Sequence, residues 1–336
     1  MLKAYLIKRA LMTIPTMLIL LTIIFLIMRV LPGDPVAAIV GTKAPPEVIQ
    51  SVTRRLGLDQ PYHIQYINYL SDLLRGDLGR SMIWGRRPVI DEIMDHFPAT
   101  LELSISAFMV SVLIGIITGT EAARKFRSKF DQVLRFYGIL TYSLFIPWFG
   151  IMLQLIFSVY LKLLPVGGRI DPFMEPEKIT GLYLLDSILT LNIPSFFNAL
   201  SHLVLPSITL GVYISGVFTR TVRSNMLEVL RKDYITAARA RGIPENVVVY
   251  RHALKNAFIP ILTMMGLQFA LLLAGAVLTE TTFSWPGMGT FLLERIMYRD
   301  YTTVQGTVVF IALLIVSISL LVDIMYAYLD PRIRFR

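Results

Sequence analysis

The chain has 336 residues, 55% of them hydrophobic and 16% charged, with 32 Lys+Arg against 23 Asp+Glu, a net charge of +9 and no cysteine. Soluble domains carry about 25% charged residues, and the mean hydropathy here is +0.63, so an ordinary water-coated globule and a disordered chain are both excluded. Zero cysteines exclude disulfide scaffolds, iron–sulfur clusters and thiolate metal sites, and a nucleic-acid role would need the excess positive charge gathered on one soluble face.

About 20 apolar residues at a rise of ~1.5 Å each cross the hydrocarbon of a bilayer. Six stretches lack Asp, Glu, Lys and Arg over such lengths: residues 10–28, 103–120, 136–161, 187–219, 256–279 and 301–322. The first has a short basic flank (Lys3, Lys8, Arg9) but a longer apolar run than a signal peptide and no small-x-small site, so it reads as an uncleaved helix. The fourth is too long for one span; Asn192, Ile193 and Pro194 mark an outer shoulder, with the crossing nearer 202–219. Pro147 and Pro260 lie inside apolar runs, where proline kinks a helix.

Basic residues fix the orientation. Lys3, Lys8 and Arg9, then Arg124, Lys125, Arg127, Lys129 and Arg135, then the segment 220–255, then Arg332, Arg334 and Arg336 all fall on one side. The long loop before residue 102 escapes the rule by its length. The expectation is an all-α polytopic membrane protein with six transmembrane helices and both termini in the cytoplasm. Its expected parts are 1–30 (N-terminus and first helix), 31–98 (a small extracytoplasmic helical cap), 99–329 (the bundle, with a cytoplasmic loop at 228–255) and 330–336 (a cytoplasmic tail).

Within the cap, residues 46–56 read as a helix begun near Pro46 and stopped by Gly57, and 61–75 as a second stopped by Gly76. Ile64, Ile67, Leu70 and Leu74 recur at helical spacing in the second. Gly76-Asp77-Leu78-Gly79 is a turn. Residues 89–97 read as a third short helix, with Pro98 marking entry to the second span. The cap either packs on the bundle or offers a docking surface.

Between spans four and five, Asp233 suits an N-cap and 234–241 suits a helix of two turns, about 12 Å long. Gly242 supplies its left-handed stop, and Pro244 starts the next helix. Tyr234, Ala237, Ala238 and Arg241 share one face. So short a helix is unstable alone in water and needs a groove; the alanines permit close approach to one.

At these residues the sequence resembles the inner-membrane permease subunits of ABC importers, in the variant found in dipeptide, oligopeptide and nickel importers. That variant reads Asp-Tyr-x-x-x-Ala-Arg-Ala-x-Gly, then Arg-His-Ala-Leu-x-Asn-Ala-x-x-Pro. Here Asp233, Tyr234, Ala238, Arg239, Ala240 and Gly242 match, as do Arg251, His252, Ala253, Leu254, Asn256, Ala257 and Pro260. Ala237, Ala238, Gly242 and Leu254 also occupy positions of the broader permease signature, while Thr236, His252 and Lys255 stand where that signature has Glu, Ile and Pro. The segments 31–35, 56–61 and 76–79 resemble the family's first outer loop. Glu280, Trp285, Pro286 and Gly287 belong to a segment resembling the one that follows the family's fifth span, as do Arg299-Asp300-Tyr301.

The resemblance implies the MetI-like fold of type I importer permeases. The long first loop points to the B-type member of the permease pair. The implied partners are a C-type permease, two ABC ATPase subunits and an extracytoplasmic solute-binding protein, with membrane lipid around them and no nucleic acid. The chain contains no Gly-x-x-x-x-Gly-Lys-[Ser/Thr], so ATP hydrolysis is assigned to the partners and not to this subunit, and no cofactor or metal is expected. Segment 234–241 is then the implied coupling helix. Arg239 and Arg241 either pair with acidic groups of the ATPase or only set topology.

Other features carry less. Gly115 and Gly119 form a small-xxx-small pair suited to packing inside the subunit. Glu102 and Glu280 are expected at outer ends, where charge costs little and where interfacial anchoring or loop hydrogen bonding would employ them. Trp285 suits an interfacial aromatic belt or a re-entrant turn. His252 reads as a packing or hydrogen-bonding residue. An ion-coupled secondary transporter would need intramembrane ionisable groups or broken helices in matching halves, and an intramembrane hydrolase would need a partnered serine or paired aspartates. The sequence offers neither set plainly.

Overall fold

The computed structural model describes residues 2–30, 45–55, 57–83 and 85–329. The 31–35 motif, Leu56 and the 330–336 tail with its arginines lie outside them. Among these described residues thirteen helices follow in order: α1 Leu2–Val30, α2 Pro46–Arg55, α3 Tyr62–Leu74, α4 Val89–Arg124, α5 Lys129–Ser143, α6 Ile146–Tyr160, α7 Tyr183–Leu189, α8 Ile193–Leu230, α9 Asp233–Ala240, α10 Glu245–Leu273, α11 Val277–Thr282, α12 Met288–Met297 and α13 Tyr301–Leu329. No strand forms among the described residues. Five helices (α1, α4, α8, α10 and α13) contain segments long and apolar enough to cross a membrane, and α5 with α6 makes a sixth if the bent pair counts as one crossing.

The third expected span is broken. α5 and α6 meet at 102°, across extended backbone at Leu144 and Phe145. In a continuous helix Pro147 would have to donate to Ser143, which it cannot do; starting a new helix places it in the first turn, where no donor is needed. The fifth expected span also stops early, at Leu273, because Gly275 turns the chain at φ +109° before α11 begins. By contrast, Pro98 interrupts nothing. α4 runs through it for 36 residues, so the expected third cap helix and the second span are one element. The lost donor is outweighed by packing on both sides of the proline, where Ile93, Ala99 and Leu103 are fully buried. The shoulder before span four is likewise continuous with α8, whose Asn192 cap accepts from the Ser195 amide and whose Pro206 lies mid-helix.

α4 and α8 form the central pair. A Cβ on Gly115 would overlap Phe218, and one on Gly119 would meet the Val222 side chain and, at 2.7 Å, the Thr219 carbonyl. The two helices therefore approach as closely as backbones allow, and Thr118 and Thr219 hydroxyls bond across them at 2.7 Å. One apolar core joins Ala99, Leu103 and Ala107 of α4 to Leu203, Leu210, Ile214 and Phe218 of α8 and to Leu272 and Trp285. A second, at the α9 end, joins Ala123, Val222 and Met226 to Ile235, Val248, Val249, Ala253, Ala257 and Ile261. Small residues set the spacing and large ones fill it.

α1 stands at the edge, touching α13 and α3 through Ile24, Phe25, Tyr66 and Tyr69. Over residues 11–28 most of its apolar side chains face outward, as suits a helix surrounded by lipid.

Candidate functional site

α9 is eight residues long, one residue displaced from expectation. Lys232 holds the N-cap backbone without a side-chain cap bond, and Asp233 is the first helical residue. Its carboxylate therefore sits in the first turn, where the helix dipole favours it, and does not cap. At the other end Arg241 is the C-cap and Gly242 adopts φ +72°. The Gly242 amide donates to the Arg239 carbonyl (2.9 Å) and the Ile243 amide to the Ala238 carbonyl (3.3 Å). This is a Schellman closure, with Ile243 and Ala238 packed on the same core. Apart from its chain neighbours, no atom lies within 4 Å of where a Gly242 Cβ would stand; its backbone angle alone calls for glycine. Pro244 is the N-cap of α10, one position before the expected N1.

The expected face of α9 divides. Ile235 is fully buried, in contact with the second core, and Ala238 is half-buried beside it. Tyr234, Thr236, Ala237, Arg239, Ala240 and Arg241 are exposed. Residues 235 and 238, at i and i+3, are thus the anchoring stripe, and Ala237 and Ala240 present a small-residue surface outward. Sequence reasoning put Ala237 and Ala238 together on the docking face and passed over Ile235, although an isoleucine amid alanines was the available signal.

Arg239 has its carboxylate partner inside the chain: Nε and a terminal nitrogen donate to the two Glu245 oxygens at 3.1 and 2.7 Å. Both side chains are nearly half exposed, so the pair contributes little to stability, yet it clamps the start of α10 against α9. α10 then makes a π-helical turn at Val248–Ala253. That turn, carrying Tyr250, Arg251 and His252, widens the helix where it meets the bundle; π-turns concentrate at functional positions. Asn256 donates to the His252 carbonyl at 2.7 Å, Leu254 packs on the second core, and the Arg251 side chain is exposed. Tyr250 reaches the end of α4, donating to Glu121 at 2.5 Å.

The second group of expected residues lies at the opposite end of the bundle and, Pro286 apart, is buried. Glu280 is fully enclosed. One carboxylate oxygen accepts from the Thr100 hydroxyl (2.7 Å), and the other from the Gly289 and Thr290 amides (2.7 and 2.9 Å). It thereby satisfies the free amides that open α12. Burial pushes the Glu280 carboxyl above the usual carboxylate range, opposed by the Thr100 hydroxyl and the two amides. Gly287 is required because any Cβ there would overlap the Glu280 carboxylate, while Pro286 is exposed. Trp285 is not an aromatic-belt residue: it is 1% exposed and its indole donates to the Ala99 carbonyl at 2.8 Å.

Of the two uses expected for Glu102, the structure shows loop hydrogen bonding, made at a buried position. It is buried against Arg169, with a closest approach of 2.8 Å. Arg169 further donates to the Gly181 carbonyl, and the Leu184 amide donates to Glu102. Asp186 accepts from Ile179, Thr180 and Gly181. Burial pushes the Asp186 carboxyl up, but the Thr180 hydroxyl and these amides outweigh it and hold it below the usual range. The segment between α6 and α8 is thereby bolted to α4, an organisation for which the sequence held no periodic signal.

The short helix α9 is anchored by buried Ile235, and the opposite end of the bundle is closed by buried Glu280; two family models match this chain. The model described as binding-protein-dependent transport system inner membrane component matches residues 111–335, and its N-terminal companion matches residues 1–104. The chain belongs to this family. It is a permease subunit of an ABC importer. Similar proteins span the whole length. The dipeptide transport system permease protein DppB of Alkalihalophilus pseudofirmus is 42% identical over 332 residues, covering 99% of each chain. DppB of Escherichia coli strain K12 is 40% identical over 336 residues, again 99% of each. The glutathione transport system permease protein GsiC of Salmonella typhimurium is 38% identical over 337 residues, with 99% coverage of each.

Proposed function

We propose that this permease is the B-type half of a peptide-importing pathway, with α9 as the helix that couples it to ATP hydrolysis. The second half is a C-type permease, hydrolysis takes place on two separate ATPase subunits, and an extracytoplasmic binding protein delivers the solute. The termini and α9 face the cytoplasm and the Glu280 end faces outward, as the distribution of short-loop lysines and arginines favours. Relatives named for dipeptide and glutathione transport favour peptides as the solute class over nickel chelates or oligosaccharides.

The observation that carries this reading is the division of α9: one stripe buried in the bundle through Ile235, the other exposed through Ala237 and Ala240. A helix held on one side and bare on the other transmits displacement of whatever docks on it. Closure of an ATPase dimer would move α9, and α10 through the Arg239–Glu245 clamp, as a rigid-body switch of the attached spans. Reconstitution of the complete transporter with labelled dipeptide tests this. Ala237→Glu is expected to abolish uptake while leaving insertion and thermal stability unchanged. Uptake at the wild-type rate in that variant contradicts the coupling role, and uptake of no dipeptide by the wild type contradicts the solute class.

A further inference from the structure

The α9 end holds a second arrangement that coupling does not use. Three charge-free stretches end there, at Thr120 in α4, Phe136 in α5 and Thr219 in α8. Just beyond them Phe126 is exposed, and three guanidinium groups surround its ring: Arg127 at 5.3 Å, Arg223 at 5.7 Å and Arg231 at 5.9 Å from the centroid. Lys125 lies 4.3 Å over the neighbouring Phe130 ring. Such stacking holds cations close together and partly desolvated.

The charges are not internally balanced. Buried Asp131 is taken by Arg223 through two bonds of 2.6 and 2.9 Å. Its second oxygen also accepts the Arg127 amide at 3.1 Å, which holds Arg127 in a left-handed turn of φ +64°. Glu121 is engaged by Arg124, Lys125 and Tyr250. Arg127, Lys129, Arg135 and Arg231 are exposed and have no carboxylate within ion-pair distance among the described residues. The turn is therefore built, and it presents net positive charge.

What lies beside the cations identifies the ligand. Phe130, Val133 and Phe136 are 44, 62 and 65% exposed and lead directly into the apolar face of α5. From Lys129 to Phe136 the rise is about 10 Å. An acidic protein surface would satisfy the cations and leave this contiguous apolar strip bare. A phosphate joined to acyl chains satisfies both. We propose that the patch binds the headgroup phosphate of an anionic phospholipid between Arg127, Lys129 and Arg135, with its acyl chains along Phe130, Val133 and Phe136. Juxtamembrane cations attract anionic headgroups in just this position. The site rests on the membrane placement of the chain and is independent of α9 docking.

The test uses the complete transporter in nanodiscs of phosphatidylcholine with a minor fraction of phosphatidylglycerol, reading retained lipid by native mass spectrometry. Wild type is expected to retain phosphatidylglycerol preferentially. Arg127→Gln/Lys129→Gln/Arg135→Gln is expected to lose that preference by about fivefold or more, and Arg54→Gln/Arg75→Gln/Arg80→Gln at the opposite end to keep it. Equal retention in the triple variant overturns the proposal. So does protection by inorganic phosphate alone equal to that by phosphatidylglycerol, which assigns the site to a free anion. Loss of the ATPase subunits from the triple variant in pure phosphatidylcholine also overturns it, by assigning the patch to a protein partner. If the triple variant does not insert, the wild type carries the test: its preference must fall as salt rises, and a salt-independent preference contradicts the site.

Discussion

Tyr250 donates its phenolic proton to Glu121 across 2.5 Å, joining the π-helical turn of α10 to the far end of α4. With Ile235 in the core and Arg239 on Glu245, this is one of three connections that make α9 and its flanks a single body rather than a loose loop. Each connection has a different chemistry and so a different expected response.

Tyr250→Phe removes one hydrogen bond to a charged acceptor at a half-exposed position. The expected cost is about 1 kcal/mol, small enough to leave insertion and melting nearly unchanged. If the bond transmits displacement from α9 to α4, ATP hydrolysis continues while uptake falls. Parallel assays of phosphate release and uptake check this, and equal loss of both contradicts it.

Ile235→Ala empties a fully buried position. Deletions of this kind cost about 2–5 kcal/mol, here concentrated on the α9 anchor. Amide exchange is expected to accelerate across residues 233–243 more than in α8, and co-purification of the ATPase subunits to weaken. Uniform acceleration throughout the bundle would place the effect elsewhere.

At Gly242 only the backbone angle is constrained, because nothing occupies the space around it. Gly242→Ala should cost about 1 kcal/mol, and Gly242→Asn less, since asparagine tolerates the left-handed region. Thermal melting of the purified permease ranks the two; an alanine variant as stable as wild type contradicts the assignment.

Arg169→Met leaves the Glu102 carboxylate buried and unpaired, with an expected loss of about 3–5 kcal/mol. Glu102→Gln/Arg169→Met is expected to be milder than the single change, because no charge then remains unpaired. Melting temperatures of the two variants decide the order.

Glu280 has a folded-state affinity for its proton raised by burial. The folded permease therefore holds this proton to higher pH than the unfolded chain does, and stability contributed at low pH is lost as pH rises from about 4.5 through the raised value. Glu280→Gln should flatten that portion of the stability–pH profile. It should also lower stability overall, because an amide has only one acceptor oxygen for three donors.

Most of the architecture was legible in the residues. Charge-free stretches located the spans because lipid tolerates no bare charge, and Gly115 and Gly119 announced a close helix contact, though not its partner α8, because close backbones exclude side chains. Gly242 and Pro244 bracketed α9 through local backbone rules. What was not legible depended on contacts distant in sequence. Pro98 and Pro147 look alike locally, yet one is carried through a helix by packing and the other breaks one. Glu102 reads as an end-of-span charge until Arg169, 67 residues later, reaches it. Trp285 reads as interfacial until the Ala99 carbonyl is found beside its indole. Ile235 was visible but ambiguous, since two turns of helix have no periodicity long enough to say which face is buried.

The most direct test of the coupling role uses the absence of native cysteine. Single cysteines at Ala237, Ile235 and Ser284 would each be presented to a short bifunctional crosslinker in the assembled transporter. Crosslinks to an ATPase subunit are expected from Ala237→Cys, with yield dependent on nucleotide, and not from buried Ile235→Cys or from Ser284→Cys at the opposite end. Crosslinking to the ATPase from Ser284→Cys with none from Ala237→Cys would contradict the account.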